Sequence, residues 1–132
     1  MDVHRTKHSR AIGFATEAIA CDYLTKQGLR LITKNFICKL GEIDLIMEDK
    51  MNLVFVEVRY RRNNYYGDSQ ETVDYNKQQR LIRTSSYYLQ KNKAYLKRNV
   101  RFDVIALTLL NKKMHIEWFQ NAFDLNSSIL WI

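Results

Sequence analysis

A layered α/β domain with a mixed sheet is the fold class this sequence predicts, and three features carry that expectation. Helical patterns stand at two separate places, over 10–27 and again over 68–90. Segments with the period-two pattern of strands lie between and after them. One of these, Leu53-Val54-Phe55-Val56, is apolar at every position, as a strand covered on both faces has to be.

Residues 1–9 are polar and basic (His4, Arg5, Lys7, His8) and predict a flexible arm, leaving 10–132 as a single domain. His4 and His8 have the i, i+4 spacing a zinc ion could use, but nothing around them would hold a helix, and a solvated arm is the plainer reading. Over 10–27 small and apolar residues dominate (Ala11, Ile12, Phe14, Ala15, Ala18, Ile19, Leu24), and Gly28 can supply the left-handed stop of a helix. Strands are expected over 31–38, 42–48 and 53–60, the last two joined by a polar stretch of hairpin length, 49–52. The segment 63–68 contains Gly67 and predicts a loop, after which Asp68 or Ser69 can cap a helix running to about Gln90, with Glu71 favouring its first turn. Strands over 101–110 and 114–119 form a hairpin around Asn111-Lys112-Lys113. The order is α-β-β-β-α-β-β, with a short final helix in 121–132 left open. No repeat, linker or low-complexity segment interrupts it, and proline is absent.

A chain of 132 residues, 46% of them hydrophobic, fits one domain with one core of ordinary size. No basic, apolar and small-residue sequence of a secretory leader stands at the start, and the apolar runs are too short to cross a bilayer. Cys21 and Cys38 lack metal-ligand spacing and predict two reduced, buried thiols. These features favour the cytoplasm and exclude a membrane-spanning role. A net charge of +7 favours a polyanionic partner, nucleic acid before an acidic membrane surface.

Several acidic residues do not fit a purely structural account. Residues two apart on a strand share a face, so Glu42 and Asp44 point one way and Ile43 and Leu45 the other. On the next strand Phe55, Glu57 and Arg59 share a face, opposite Val54, Val56 and Val58. A closed hairpin brings Asp44 and Glu57 onto neighbouring strands. Two carboxylates that close must take up a proton or share a cation. Oxygen ligands without His or Cys suit Mg²⁺ or Mn²⁺ rather than zinc. The competing structural reading is a cross-strand Glu–Arg pair with Asp44 near solvent. Glu17 lies among small and apolar helical neighbours, either exposed beside the core or turned toward a partner in the fold. Gln78 falls on the apolar stripe of the second helix (Val73, Leu81, Ile82, Ser85, Tyr88, Leu89), where a buried amide needs partners. Around it stand Lys77, Arg80 and Arg83, and beyond the third strand Tyr60, Arg61, Arg62, Tyr65 and Tyr66. Basic residues interleaved with aromatics can grip phosphates and stack on bases, or simply form a solvated loop.

The segments Gly41-Glu42-Ile43-Asp44-Leu45-Ile46 and Val54-Phe55-Val56-Glu57-Val58-Arg59-Tyr60-Arg61 resemble the YraN-like family of small bacterial proteins. Gly13-x-x-x-Glu17, Tyr66-Gly67, Val73-x-x-x-Lys77-Gln78-x-x-Leu81 and Arg101-Phe102-Asp103-Val104 extend the resemblance over roughly 11–119. That family is similar to archaeal Holliday-junction resolvases and through them to the PD-(D/E)XK nucleases. The resemblance implies a restriction-endonuclease-like fold, a central mixed β-sheet flanked by helices, with a divalent-metal phosphodiesterase site. It places Asp44 and Glu57 at the metal-binding acids, Glu17 at the acid of the first helix, Gln78 at the polar residue of the following helix, and Arg59 at the superfamily's lysine. Glu42 matches the family's own motif but no superfamily catalytic position. Arginine can neutralise charge at that position but cannot take a proton.

The expectation that follows is a Mg²⁺- or Mn²⁺-dependent nuclease acting on branched or structured DNA, with Arg61, Arg62, Lys77, Arg80 and Tyr60 contacting nucleic acid. A nucleic-acid-binding module that keeps the fold without cleaving is the alternative. A third is an interaction protein, whose apolar end (Ile129, Leu130, Trp131, Ile132) docks a partner or a second copy in a homodimer.

Overall fold

The computed structural model describes residues 7–62 and 74–123, without the side chains of 7–10. The basic arm up to residue 6, the loop with Tyr65, Tyr66 and Gly67, and the apolar end Ile129–Ile132 lie outside the described residues.

The first helix, α1 (Lys7–Lys26), begins three residues before the expected start at Arg10. Thr16, Ala20, Cys21 and Leu24 form its buried stripe, while Phe14 stays 60% exposed. Its end is a Schellman turn: Gly28 N–H bonds the Thr25 carbonyl and Leu29 N–H reaches back to Leu24, both at 3.0 Å. Gly28 takes φ +105°, as the sequence predicts for the stop. Asp22 pairs with Lys26 one turn on at 3.1 Å.

Three strands follow: β1 (Arg30–Cys38), β2 (Gly41–Asp49) and β3 (Asn52–Arg61). The second helix, α2 (Tyr75–Lys91), leads through a 3₁₀ turn at Lys93–Tyr95 into β4 (Asn99–Leu110) and β5 (Lys113–Phe123). The strands stand in chain order in one five-stranded sheet. Only β3 and β4 run parallel, because α2 crosses over between them; the other neighbours are antiparallel. This is the mixed sheet and the order α-β-β-β-α-β-β that the sequence predicts. The β4–β5 turn is Asn111-Lys112, with φ +49° and +64°, the left-handed pair that a two-residue hairpin between twisted strands requires. The α2 cap is Asp74, whose carboxylate accepts the Lys77 N–H at 2.8 Å. It replaces the expected Asp68 or Ser69, which with Glu71 and Val73 lie outside the described residues.

The sheet is covered on both sides, as the all-apolar Leu53–Val56 run predicts. On one face Leu53, Phe55, Phe102, Val104 and Phe123 pack with Leu81 and Tyr88 of α2. On the other Leu45, Met47, Val54, Val56, Ile105 and Leu107 pack with Ala20, Cys21 and Leu24 of α1. Phe55, Phe102 and Phe123 stack in a row with ring centroids 5.6 and 4.8 Å apart. Each such ring adds about 2–3 kcal/mol through burial. Cys38 is only partly buried, against expectation, because it closes the exposed edge strand.

Strict alternation fails in β2. Ile43 and Ile46 join the α2-side core while Leu45 joins the α1-side one, so the expected common face of Ile43 and Leu45 is lost at Asp44. The irregularity is shared by its neighbour: Asn35 of β1, which would face Asp44, takes φ +53°. A second break lies opposite Asp103, where the β4–β5 register shifts between Phe102 and Val104. The buried Asp103 carboxylate binds the freed Asn121 N–H and Trp118 Nε1, both at 2.9 Å, and Arg101 through Nε and Nη2 at 2.9 and 3.0 Å. Arg101 in turn reaches Asp49, and Glu48 is held by Arg98 and Arg30, whose hydrogen bonds lower its pKa. Among the described residues no helix is long and apolar enough to cross a membrane.

Gly41 opens β2 at φ +151°, and a Cβ there would lie 2.9 Å from Thr84 Oγ1 of α2. Thr84 is fully buried and its hydroxyl donates to the Arg80 carbonyl, so it has no room to withdraw. Gly41→Ala should therefore cost about 2–3 kcal/mol in urea unfolding, part of it relieved by Thr84→Ala, whereas Gly28→Ala meets no atom and should cost only about 1–2 kcal/mol of backbone strain. Asp103→Ala, which leaves Asp49 as the remaining carboxylate of Arg101 and takes the acceptor from Asn121 N–H and Trp118 Nε1, should cost about 3–5 kcal/mol in the same measurement.

Candidate functional site

The β2–β3 ladder runs from Asp49↔Asn52 to Leu45↔Val56 and has no partner pair beyond it. Past that point the two strands part. The Asp44 carboxylate bridges the gap, accepting the Val58 N–H at 2.8 Å in place of a strand carbonyl. A pocket of about 330 Å³ opens there. Ile12, Gly13, Thr16 and Glu17 of α1 line one side, Glu42, Asp44, Glu57, Val58 and Tyr60 come from the parted strands, and Lys77 enters from α2. Since α1 and α2 cover opposite faces of the sheet, the pocket lies at its splayed end, where both helices reach the same space.

Burial is the main cause that holds the Asp44 carboxyl well above the usual range, and the negative charge of Glu57 adds to it. The Val58 N–H opposes the shift, Glu17 adds a further upward push, and Lys77 opposes it again. The Glu57 carboxylate, almost wholly buried, is met by Lys77 Nζ at 2.7 Å. Among its lining residues the pocket thus sets the carboxyl groups of Glu17, Glu42, Asp44 and Glu57 around Lys77.

The structure brings Glu17, Asp44, Glu57, Tyr60 and Lys77 into one pocket, together with Glu42. Arg59 and Gln78 are not among its lining residues. Gln78 is 2% exposed on the inward stripe of α2, and Arg59 is partly buried on β3. Arg62 and Arg80 are exposed at the flanks and Arg61 is half-buried. Sequence reasoning assigned Lys77 only to the phosphate-contacting flank. The missed signal was its place in the first turn of a helix that starts beside the acidic strands. The membership of Glu42 was legible in its spacing from Asp44, though no superfamily position claims it.

The donor set fits a hard divalent ion: carboxylate oxygens, with no His or Cys among the described residues that line the pocket. Among the described residues no three His, Cys, Asp or Glu side chains are gathered closely enough to encage a cation. Mg²⁺, which keeps several waters and takes one or two carboxylates, needs no such cage.

Fold and pocket together define a mixed α/β domain that carries an acidic pocket at the open end of its sheet. The chain belongs to UPF0102, an uncharacterised protein family whose model matches residues 16–107, and this is the YraN-like family that the sequence resembles. It is 44% identical over 124 residues to a UPF0102 protein of Nitrosococcus oceani, covering 94% of this chain and 96% of that one. It is 48% identical over 116 residues to one of Coxiella burnetii, covering 88% and 94%. Among solved structures, SfsA of Pyrococcus furiosus in complex with Ca²⁺ matches with a TM-score of 0.37 and 17% identity, over 84% of this chain and 63% of that one.

A raised Asp44 pKa means that the folded chain binds this proton more tightly than the unfolded one. Asp44 should therefore cost metal-free protein no stability below pH ~4, where unfolded aspartate titrates, and a growing amount as pH rises toward the raised value. Asp44→Asn keeps an oxygen for Val58 N–H and removes the loss. In EDTA its melting temperature should exceed that of wild type at neutral pH, with the difference vanishing near pH ~4. A wild type as stable as the variant at neutral pH contradicts the assignment.

Proposed function

We propose that this protein is a divalent-metal-dependent nuclease of the bacterial cytoplasm acting on branched or otherwise structured DNA. The observation that carries the reading is the pocket at the parted ends of β2 and β3, which Glu17, Asp44 and Glu57 line together. Asp44 and Glu57 would hold Mg²⁺ or Mn²⁺, with Glu17 facing them from α1. Such an ion supplies charge neutralisation at a phosphate and a more acidic bound water. The chain's own groups do the rest. The Val58 N–H fixes one Asp44 oxygen, so the carboxylate does not have to be ordered when substrate arrives. Tyr60 offers a ring at the pocket wall, and Arg62 and Arg80 are exposed and open to phosphates.

A second reading is a binding module that grips nucleic acid with the same surface and does not cleave. It is favoured by Arg59 in the position of the superfamily's lysine and by the absence of a tight three-ligand cluster among the described residues.

The separating assay uses purified protein with Mg²⁺ or Mn²⁺ against linear, single-stranded, flap and four-way-junction DNA. The nuclease reading expects cleavage of a structured substrate, lost by about 10²-fold or more in Glu57→Gln while DNA affinity is retained. Arg80→Ala should instead weaken binding and lower the salt slope of log affinity by about one unit. Wild type that binds every substrate and cuts none leaves the binding module. Wild type that binds none at low salt removes both readings.

A further inference from the structure

We propose that Lys77 is the pocket's resident cation: its ammonium holds the Glu57 carboxylate until a divalent ion takes that place, and then turns to the phosphate of the bound strand. The inference rests on the pocket being a divalent-ion phosphodiesterase site and assigns a residue role that the resemblance does not supply.

Three observations carry it. The Glu57 side chain is only 8% exposed, and its carboxylate meets Lys77 Nζ at 2.7 Å. A carboxylate so enclosed needs a cation beside it. An ammonium and a metal ion on the same oxygens compete, so metal entry and the departure of Lys77 are one exchange. Second, Lys77 can leave without disturbing the fold. Its backbone N–H is fixed by the Asp74 carboxylate at 2.8 Å, at the start of a helix of 17 residues, while its side chain is 39% exposed and ends on a flexible four-carbon stem. Third, Lys77 lines the pocket and Arg59 does not. A phosphate drawn toward the acids therefore meets the charge carried by α2 before the one carried by β3. A released ammonium beside a metal-neutralised pocket has the phosphate as its nearest anion.

The test measures affinity rather than turnover. Mn²⁺ binding by calorimetry is compared for metal-free wild type, Lys77→Met, Lys77→Gln and the distal control Lys91→Met, each checked by far-UV circular dichroism. Both Lys77 variants should bind Mn²⁺ about fivefold tighter than wild type, and Lys91→Met should match wild type. Binding of a fluorescein-labelled four-way junction is then followed by anisotropy in Ca²⁺ and in EDTA. Lys77→Met should lose about fivefold in DNA affinity with Ca²⁺ and little in EDTA, where the wild-type ammonium is already engaged by Glu57. Unchanged or weaker Mn²⁺ binding in both variants overturns the exchange. An equal DNA loss in Ca²⁺ and EDTA overturns it too, since Lys77 is then a permanent phosphate contact. If wild type and both variants all fail to bind Mn²⁺, the metal reading itself falls, which is distinguishable from failure of the exchange alone.

Discussion

The hydrogen bond from Val58 N–H to the Asp44 carboxylate is the constraint on which the pocket depends. Two antiparallel strands that part leave backbone donors facing a gap, and an enclosed N–H without an acceptor is costly. A side-chain oxygen that replaces the missing carbonyl lets the strands separate by the width of a pocket while the donor stays satisfied. The same carboxylate becomes the floor of that pocket. Its elevated proton affinity follows directly, because the position that serves the backbone is the position that burial and Glu57 make unfavourable for charge.

The β4–β5 ladder solves a similar problem to a different purpose. Asp103 accepts the Asn121 N–H where β4 and β5 slip register, but it is surrounded by the Arg101 guanidinium and the Trp118 indole. Its charge is matched and its oxygens are spent, so it fastens β5 to the sheet and offers nothing to a ligand. Comparison of the two aspartates shows what separates a structural acid from a candidate site. Both mend a ladder; Asp44 does so beside other carboxylates with one lysine among them, and in an open pocket.

Two helices on opposite faces reach one pocket because the sheet ends there. Gly41 allows α2 to approach the start of β2 to within the space a methyl group would fill, which brings the first turn of α2 and Lys77 near Glu57. The stop at Gly28 turns the chain from α1 into β1 and leaves Gly13 and Glu17 over the acidic strands. Gly41 and Gly28 thus both act through helix placement, one by close approach and the other by a left-handed stop.

The sequence by itself determined the element order, the doubly covered β3, the hairpin at Asn111-Lys112 and the family, because these follow from local periodicity, turn chemistry and residue spacing. It also marked Asp44, Glu57 and Glu17 as acids without a local explanation. Alternation then misled in β2, since period two holds only while a strand stays in its ladder, and nothing local announces that Asn35 and Asp44 break theirs. Only the tertiary structure decided that the Asp44 carboxylate binds Val58, that Lys77 rather than Arg59 stands among the pocket residues, and that Gln78 lies buried away from its lining. Each of those outcomes depends on where a helix from elsewhere in the chain comes to rest against the sheet. That distance is set by packing on both faces, and no spacing within a single segment encodes it.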